Sequence, residues 1–229
     1  MKYKEFLDTI AASRLDICRS VFLGYRDEIK IKKEKTVLKN LEKIFDATLK
    51  IGIEKGFQAM TMLDLKNVSG LSIGALYSYF SSKEEILRVF LSEGRKIIWQ
   101  ILDELIEKEK DPGAKLESAV EVHLFLTERM HKWFYFSYME AKNLSPSEKE
   151  NAVQSELHTE KLIENILIDG QKQGVFIETD HSLAASVIKA MLQDWYLKRG
   201  KYAKKNIAVD QYAEFIMSFI KSFYLKRQI

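Results

Sequence analysis

Two prolines and ten glycines are all the strong breakers in 229 residues. That scarcity constrains the fold more than any other feature. A β sandwich or barrel of this length needs a turn signal every ten residues or so, and the signals are absent. Long helices are what remains. Apolar residues recur at helical spacing from one end of the chain to the other. The length allows one large domain or two modest ones, with 46% hydrophobic residues to fill a core. No run approaches the roughly 18 consecutive apolar residues of a membrane span. The first residues, MKYKEFLDTIAASRLD, lack a continuous apolar core, so no secretory signal is expected there and a cytoplasmic location is.

Charge and cysteine narrow the class. A net charge of +3 permits a polyanionic partner without demanding one. One cysteine, Cys18, rules out an intrachain disulfide framework and an all-cysteine metal site. The four histidines, His123, His131, His158 and His181, show no metal-ligand spacing. No nucleophile elbow, zinc-protease motif or P-loop occurs, so neither an enzyme nor a cofactor is expected.

The pattern divides the chain into an extension, 1–36, a domain over 37–92 and a second domain over 93–229. Residues 3–23 read as a first helix. Residues 26–40, RDEIKIKKEKTVLKN, read either as a solvated connector or as a basic arm in which Lys30, Lys32, Lys33 and Lys35 face a polyanion. A helix over 37–55 ends at Gly56. Thr61, with Asp64 three residues on, opens a short helix that Gly70 closes. Ser72 caps the next one, 73–80. Helix, three-residue turn, helix is helix-turn-helix spacing, with Leu65, Val68, Leu71, Leu76 and Phe80 as core. Ser81 or Ser82 then starts a helix reaching about residue 108, broken by Asp111-Pro112-Gly113. One or two helices follow from Leu116 to about Asn143. Further helices run from Ser145-Pro146 to Gly174, from Thr179-Asp180 to about Gly200, and from about Ala208 to Lys226.

Residues 44–87, IFDATLKIGIEKGFQAMTMLDLKNVSGLSIGALYSYFSSKEEIL, resemble the DNA-binding domain of the TetR family of bacterial regulators. The resemblance is carried by Ala47, Gly56-Phe57, Thr61, Gly70-Leu71-Ser72, Gly74-Ala75-Leu76-Tyr77, Tyr79-Phe80 and Ser82-Lys83-Glu84. It implies an all-α fold with an N-terminal helix-turn-helix domain and a C-terminal ligand-binding and dimerisation domain. Four positions depart from the pattern. Gly52 stands where an aromatic residue is usual and Lys66 where alanine is. Ile73 and Ala75 replace polar residues of the reading helix.

A second helix laid in the major groove gives these residues work. Gly74 lets the helix approach DNA closely. Thr61, Tyr77, Tyr79 and Lys83 offer groups to phosphates, and the Tyr77 ring suits a thymine methyl; since Ile73 and Ala75 offer base edges no hydrogen bonds, specificity falls to Ser72, Tyr77, Ser78, DNA shape or the N-terminal arm. With Gly74 these residues form the expected DNA-binding set, against a double-stranded operator. In the run LFLTERMHKWFYFSYMEAK, 124–142, the part WFYFSYM is apolar nearly all round, and reads either as plain core or as the lining of an effector cavity. The resemblance implies a small hydrophobic or acyl-type effector. Trp133, Phe134, Phe136, Tyr138 and Met139 are then its pocket candidates, and His123, Arg129 and His131 its polar anchors. The last two helices carry wide apolar faces, on which the family pairs as a homodimer. The competing reading is a helical ligand carrier without specific DNA binding.

Overall fold

A computed structural model of the chain describes residues 1–10, 14–25, 33–141 and 144–225. Among them are twelve helices and no strand, save one isolated bridge between Phe176 and Leu225. The helices are α1 (Tyr3–Thr9), α2 (Arg14–Gly24), α3 (Glu34–Lys55), α4 (Met62–Ser69), α5 (Ile73–Tyr77), α6 (Lys83–Ile106), α7 (Pro112–Arg129), α8 (His131–Glu140), α9 (Pro146–Lys172), α10 (His181–Leu197), α11 (Arg199–Lys204) and α12 (Val209–Tyr224). The chain forms two compact units. One comprises residues 12–98 and 132–150; the other comprises 1–11, 99–131 and 151–229.

The first unit is built on α3. Its stripe Val37, Leu41, Ile44, Phe45 and Thr48 is buried, and α2 and α4 pack against it. Phe45 stacks on Phe90 of α6 at 4.5 Å between centroids. Ile17, Cys18 and Val21 of α2 are wholly buried, so part of the extension is core here. Burying each such side chain contributes about 1.5–3 kcal/mol.

The second unit is built on α7, which packs against α1, α10 and α12. Leu116, Val120, Leu124 and Phe125 of α7 are buried. The Tyr3 and Phe6 rings of α1 lie 5.5 and 5.6 Å from that of Phe125. At the far end of α10, Trp195 sits 5.0 Å from both Tyr202 and Tyr212, and its indole nitrogen donates to Glu128 at 3.0 Å. Arg199 grips the same carboxylate through two nitrogens, at 2.8 and 3.0 Å. A bidentate charged pair fixes geometry as well as charge.

Several boundaries differ from the expected ones. The helix expected over 3–23 is two helices, because Ile10 takes an extended backbone. Its halves bury their apolar residues in different units. The expected connector is helical from Glu34, with Val37 buried. Of the basic-arm residues, Lys30 and Lys32 lie outside the described residues; Lys33 and Lys35 are exposed at the start of α3. Asp111-Pro112-Gly113 begins a helix as well as ending one. Asp111 accepts from the Ala114 N–H and Pro112 fills the first turn, where its missing N–H costs nothing. The helix expected over 208–226 ends at Tyr224, and Lys226 lies outside the described residues.

Candidate nucleic-acid interface

The turn between α4 and α5 is fixed from both sides. Thr61 caps α4: its hydroxyl accepts from the Asp64 N–H at 3.1 Å, and the Asp64 carboxylate accepts from the Thr61 N–H at 2.8 Å. The same carboxylate takes the Thr61 hydroxyl proton at 2.6 Å and pairs with Lys55 at 2.7 Å. Lys55, then the Thr61 side chain and N–H, hold Asp64 down to a pKa of about 2. So the end of α3 and the start of α4 share one carboxylate, and the capping box predicted at Thr61 is present. Gly70 stops α4 at φ 70°, a left-handed position that favours glycine. Ser72 then caps α5 by accepting from the Ala75 N–H at 3.1 Å.

Helix α5 ends at Tyr77, one turn earlier than expected, with the Ser78 N–H closing onto the Gly74 and Ala75 carbonyls. Leu76 and Phe80 are buried as expected. Val68, expected in the core, is 43% exposed, since α4 is only eight residues long and buries Leu65 and Ser69. The outward face of α5 carries Ile73, 41% exposed, and Tyr77, 52% exposed. Ser72 and Gly74 are exposed beside them and Ala75 is half-buried.

Besides Thr61 and Ser72, which serve as caps, three more of the expected DNA contacts have partners inside the protein. Ser78 donates its hydroxyl proton to the Ala75 carbonyl at 2.7 Å. Tyr79 is buried, its hydroxyl accepting from the Asn40 amide at 2.9 Å, and burial raises its pKa. The Lys83 ammonium donates to the carbonyls of Phe57, Gln58 and Met60 at 3.2, 2.9 and 2.8 Å. Three donors meet three acceptors, so Lys83 staples the start of α6 to the loop after α3. Tyr77, by contrast, makes no hydrogen bond to any described residue.

The aromatic run on α8 is not one lining. Phe136 and Trp133 are buried, whereas Tyr138 and Met139 are 47% and 42% exposed; Phe134 is half-buried. Phe136 fills the notch at Gly52 of α3: a Cβ on Gly52 would lie 2.2 Å from its ring. The aromatic residue missing from position 52 is thus supplied by α8. Trp133 fills a second notch at Gly94 of α6, where a Cβ would lie 2.4 Å from the indole, and its Nε1–H donates to the Phe90 carbonyl at 3.3 Å.

The expected anchors His123, Arg129 and His131 lie in the second unit, and the α8 candidates in the first. Arg129 is exposed. His131 turns its Nε2 to the Tyr196 carbonyl at 3.1 Å. His123 is buried, and desolvation, with the Lys189 charge adding to it, holds its pKa well below 6.5. Lys189 is buried too, 3.8 Å from Glu156, and burial pushes its own pKa down while Glu156 and Glu160 oppose that. Gln193 donates to Glu156 at 2.5 Å and Ser186 to Glu160 at 2.7 Å. A lysine inside the apolar stretch LAASVIKAML was the available sequence signal for this polar centre. Among the clefts of this unit, two are lined by His158. One, of about 390 Å³, is lined by residues including Ile106, Pro112, His158, Lys161 and Ile166. The other, of about 520 Å³, is lined by Trp99, Leu157, His158 and Lys161 among others. The Trp99 and His158 rings lie 4.5 Å apart.

Both last helices present a second apolar face outward. On α10 it carries Leu183 and Val187; on α12, Phe215, Phe219 and Phe223, the last three 55–71% exposed. The other side of α12, with Tyr212, Ile216 and Ile220, is buried. The wide apolar face expected on this helix is therefore two stripes, one buried and one exposed.

Among the described residues, no helix is long and apolar enough to cross a membrane, and no cluster of three His, Cys, Asp or Glu stands ready for a metal ion. Residues 44–89 match the model of the bacterial regulatory proteins of the tetR family, and residues 109–220 match that of the tetracyclin repressor-like C-terminal domain. The HTH-type transcriptional repressor KstR2 of Rhodococcus jostii (strain RHA1) is 28% identical over 189 residues, covering 78% of this chain and 90% of that one. The solved structure of the TetR family transcriptional regulator PfmR from Thermus thermophilus is 28% identical, with a TM-score of 0.60, over 77% of this chain and 93% of its own. The ketosteroid transcriptional regulator KstR2 of Mycobacterium tuberculosis has the same fold at 18% identity, with a TM-score of 0.66 over 82% and 95%. A capped helix-turn-helix matched by one model, and a helical second unit matched by the other, make this chain a DNA-binding transcriptional regulator of the TetR family.

Proposed function

We propose that the chain represses transcription as a homodimer on a near-palindromic operator and lets go when a small hydrophobic effector binds its second unit. The observation that carries the DNA half is the outward face of α5, where Ile73, Gly74 and Tyr77 stand exposed on a helix whose turn is fixed at both ends. Laid in a major groove, that face meets base edges, while Tyr77 and the Ser72 and Thr61 region meet phosphates. One five-residue helix reads too little alone, and a twofold partner doubles the contacts. The apolar face of α10 and α12 supports pairing through those helices, since contiguous exposed Phe, Leu and Val on a water-facing surface mark an interface.

The effector half rests on the clefts around His158 and on the fold shared with a protein described as a ketosteroid transcriptional regulator. Helix α6 supplies the coupling. It is continuous from Lys83, at the staple, to Ile106, in the wall of one cleft. A rigid helix of this length, about 36 Å at 1.5 Å per residue, carries a shift at one end to the other.

Selection from a random duplex library tests the function. The expected result is a palindromic consensus bound with steep salt dependence. Nonspecific retention only, at low and physiological salt alike, would instead favour a ligand carrier. Tyr77→Phe is the cleaner probe of a phosphate contact, because Lys83→Ala also removes the loop staple. Unchanged affinity in Tyr77→Phe would remove Tyr77 from the contact set.

A further inference from the structure

We infer that α5 reads its operator chiefly through the C5-methyl groups of thymines, with Ile73 as the principal specificity-determining residue and Gly74 admitting the base edge. This rests on the DNA-binding reading above and specifies its chemistry.

The inference starts from what the outward face lacks. Side-chain readout of base edges by hydrogen bonds needs amide, guanidinium or carboxylate groups, or hydroxyls with capacity to spare. Residues 72–78 are Ser, Ile, Gly, Ala, Leu, Tyr and Ser, and none is of the first three kinds. The Ser78 proton is given to the Ala75 carbonyl, and the Ser72 oxygen accepts from the Ala75 N–H; the Ser72 proton and the Tyr77 hydroxyl are left, and the reading above places both on phosphates. What α5 does offer is carbon. Ile73 and Tyr77 lie one helical turn apart, both exposed, with Gly74 beside them. An apolar side chain at the start of a reading helix has one apolar partner in the major groove, the thymine methyl.

Gly74 supports the same conclusion. A Cβ built on it meets no atom within 4 Å, and its backbone is not left-handed. Nothing among the described residues needs a glycine there, yet glycine in a helix costs about 1 kcal/mol relative to alanine. The reason for it lies outside the chain. Beside the row of Ile73 and Tyr77 a missing side chain leaves open space, and a methyl-bearing base edge is a shape that enters it.

The test uses the full-length protein and the duplex obtained by selection. Thymines of the consensus are replaced one at a time by deoxyuridine, which keeps the base pair and removes only the methyl. Loss of about fourfold in affinity per contacted methyl is expected, at roughly 0.8 kcal/mol per buried carbon. Ile73→Ala should lose a similar factor on the thymine duplex and nothing further on the uracil duplex at the contacted step. That non-additivity separates direct contact from a change in duplex shape, which would weaken both proteins equally. A consensus bound specifically but indifferent to uracil at every position would overturn the proposal and leave the regulator intact, as would Ile73→Ala losing equally on both duplexes. If selection yields no specific duplex, the DNA-binding reading falls and this proposal with it.

Discussion

Two glycines, one in α3 and one in α5, occupy contrasting surroundings. Around Gly52 the protein has filled the space itself: the Phe136 ring sits where a Cβ would be. Around Gly74 the space is open to solvent. In sequence both are small residues interrupting a helix, and both sit in the helix-turn-helix region. The difference separates a glycine kept for packing from one kept for something the chain alone does not contain. The same distinction runs through the molecule. The Trp133 and Phe136 side of α8 is spent on the protein's own notches, while the outward stripe of α12 is left uncovered.

The strongest way to break this contrast is at an open face. Phe215→Glu with Phe219→Glu should leave the fold intact, because both rings are exposed, and should give a monomer by sedimentation. Operator affinity should fall by about two orders of magnitude or more, as half the contacts are lost. A dimeric variant with wild-type affinity would show that the stripe serves another purpose. Next comes the filled notch. Gly52→Ala forces a buried ring to move and should destabilise by about 1–3 kcal/mol in urea unfolding. Gly74→Ala should do the opposite, stabilising by up to about 1 kcal/mol, while weakening operator binding. If the two substitutions shift stability in the same direction, the distinction between the glycines is wrong.

The smallest expected effect sharpens the contrast from inside the second unit. His123 is kept neutral by burial, its folded pKa lying below the ordinary 6.5. Below about pH 6.5 the unfolded chain takes up a proton that the folded one refuses. Stability is therefore fully present above about pH 6.5 and lost as pH falls towards the depressed folded value. The slope is about 1.4 kcal/mol per pH unit for this one group. His123→Gln should remove that part of the slope, read from unfolding free energies between about pH 5 and 8. An unchanged slope would mean that other groups govern acid sensitivity.

Local chemistry made much of this legible in advance. The Thr61–Asp64 box, the left-handed stop at Gly70 and the Ser72 cap depend on neighbours three or four residues away, so spacing alone reveals them. The apolar periodicity likewise pointed to an all-α chain and the approximate span of its long helices. It did not reveal the break at Ile10, where the two halves of a periodic stretch go to different cores. Nor did it separate core from contact among polar-tipped residues.

Neighbouring residues along the chain set the helices, their caps, the helix-turn-helix and, through ordered motifs, the family resemblance. All of these rest on interactions within a few turns of chain. Only the tertiary structure decided that Tyr79 is committed to Asn40 and Lys83 to three carbonyls, while Tyr77 remains available. It alone brought Phe136 to Gly52. Whether a hydroxyl or an ammonium still has a bond to give depends on groups 23 to 39 residues away in the chain, which no local pattern encodes.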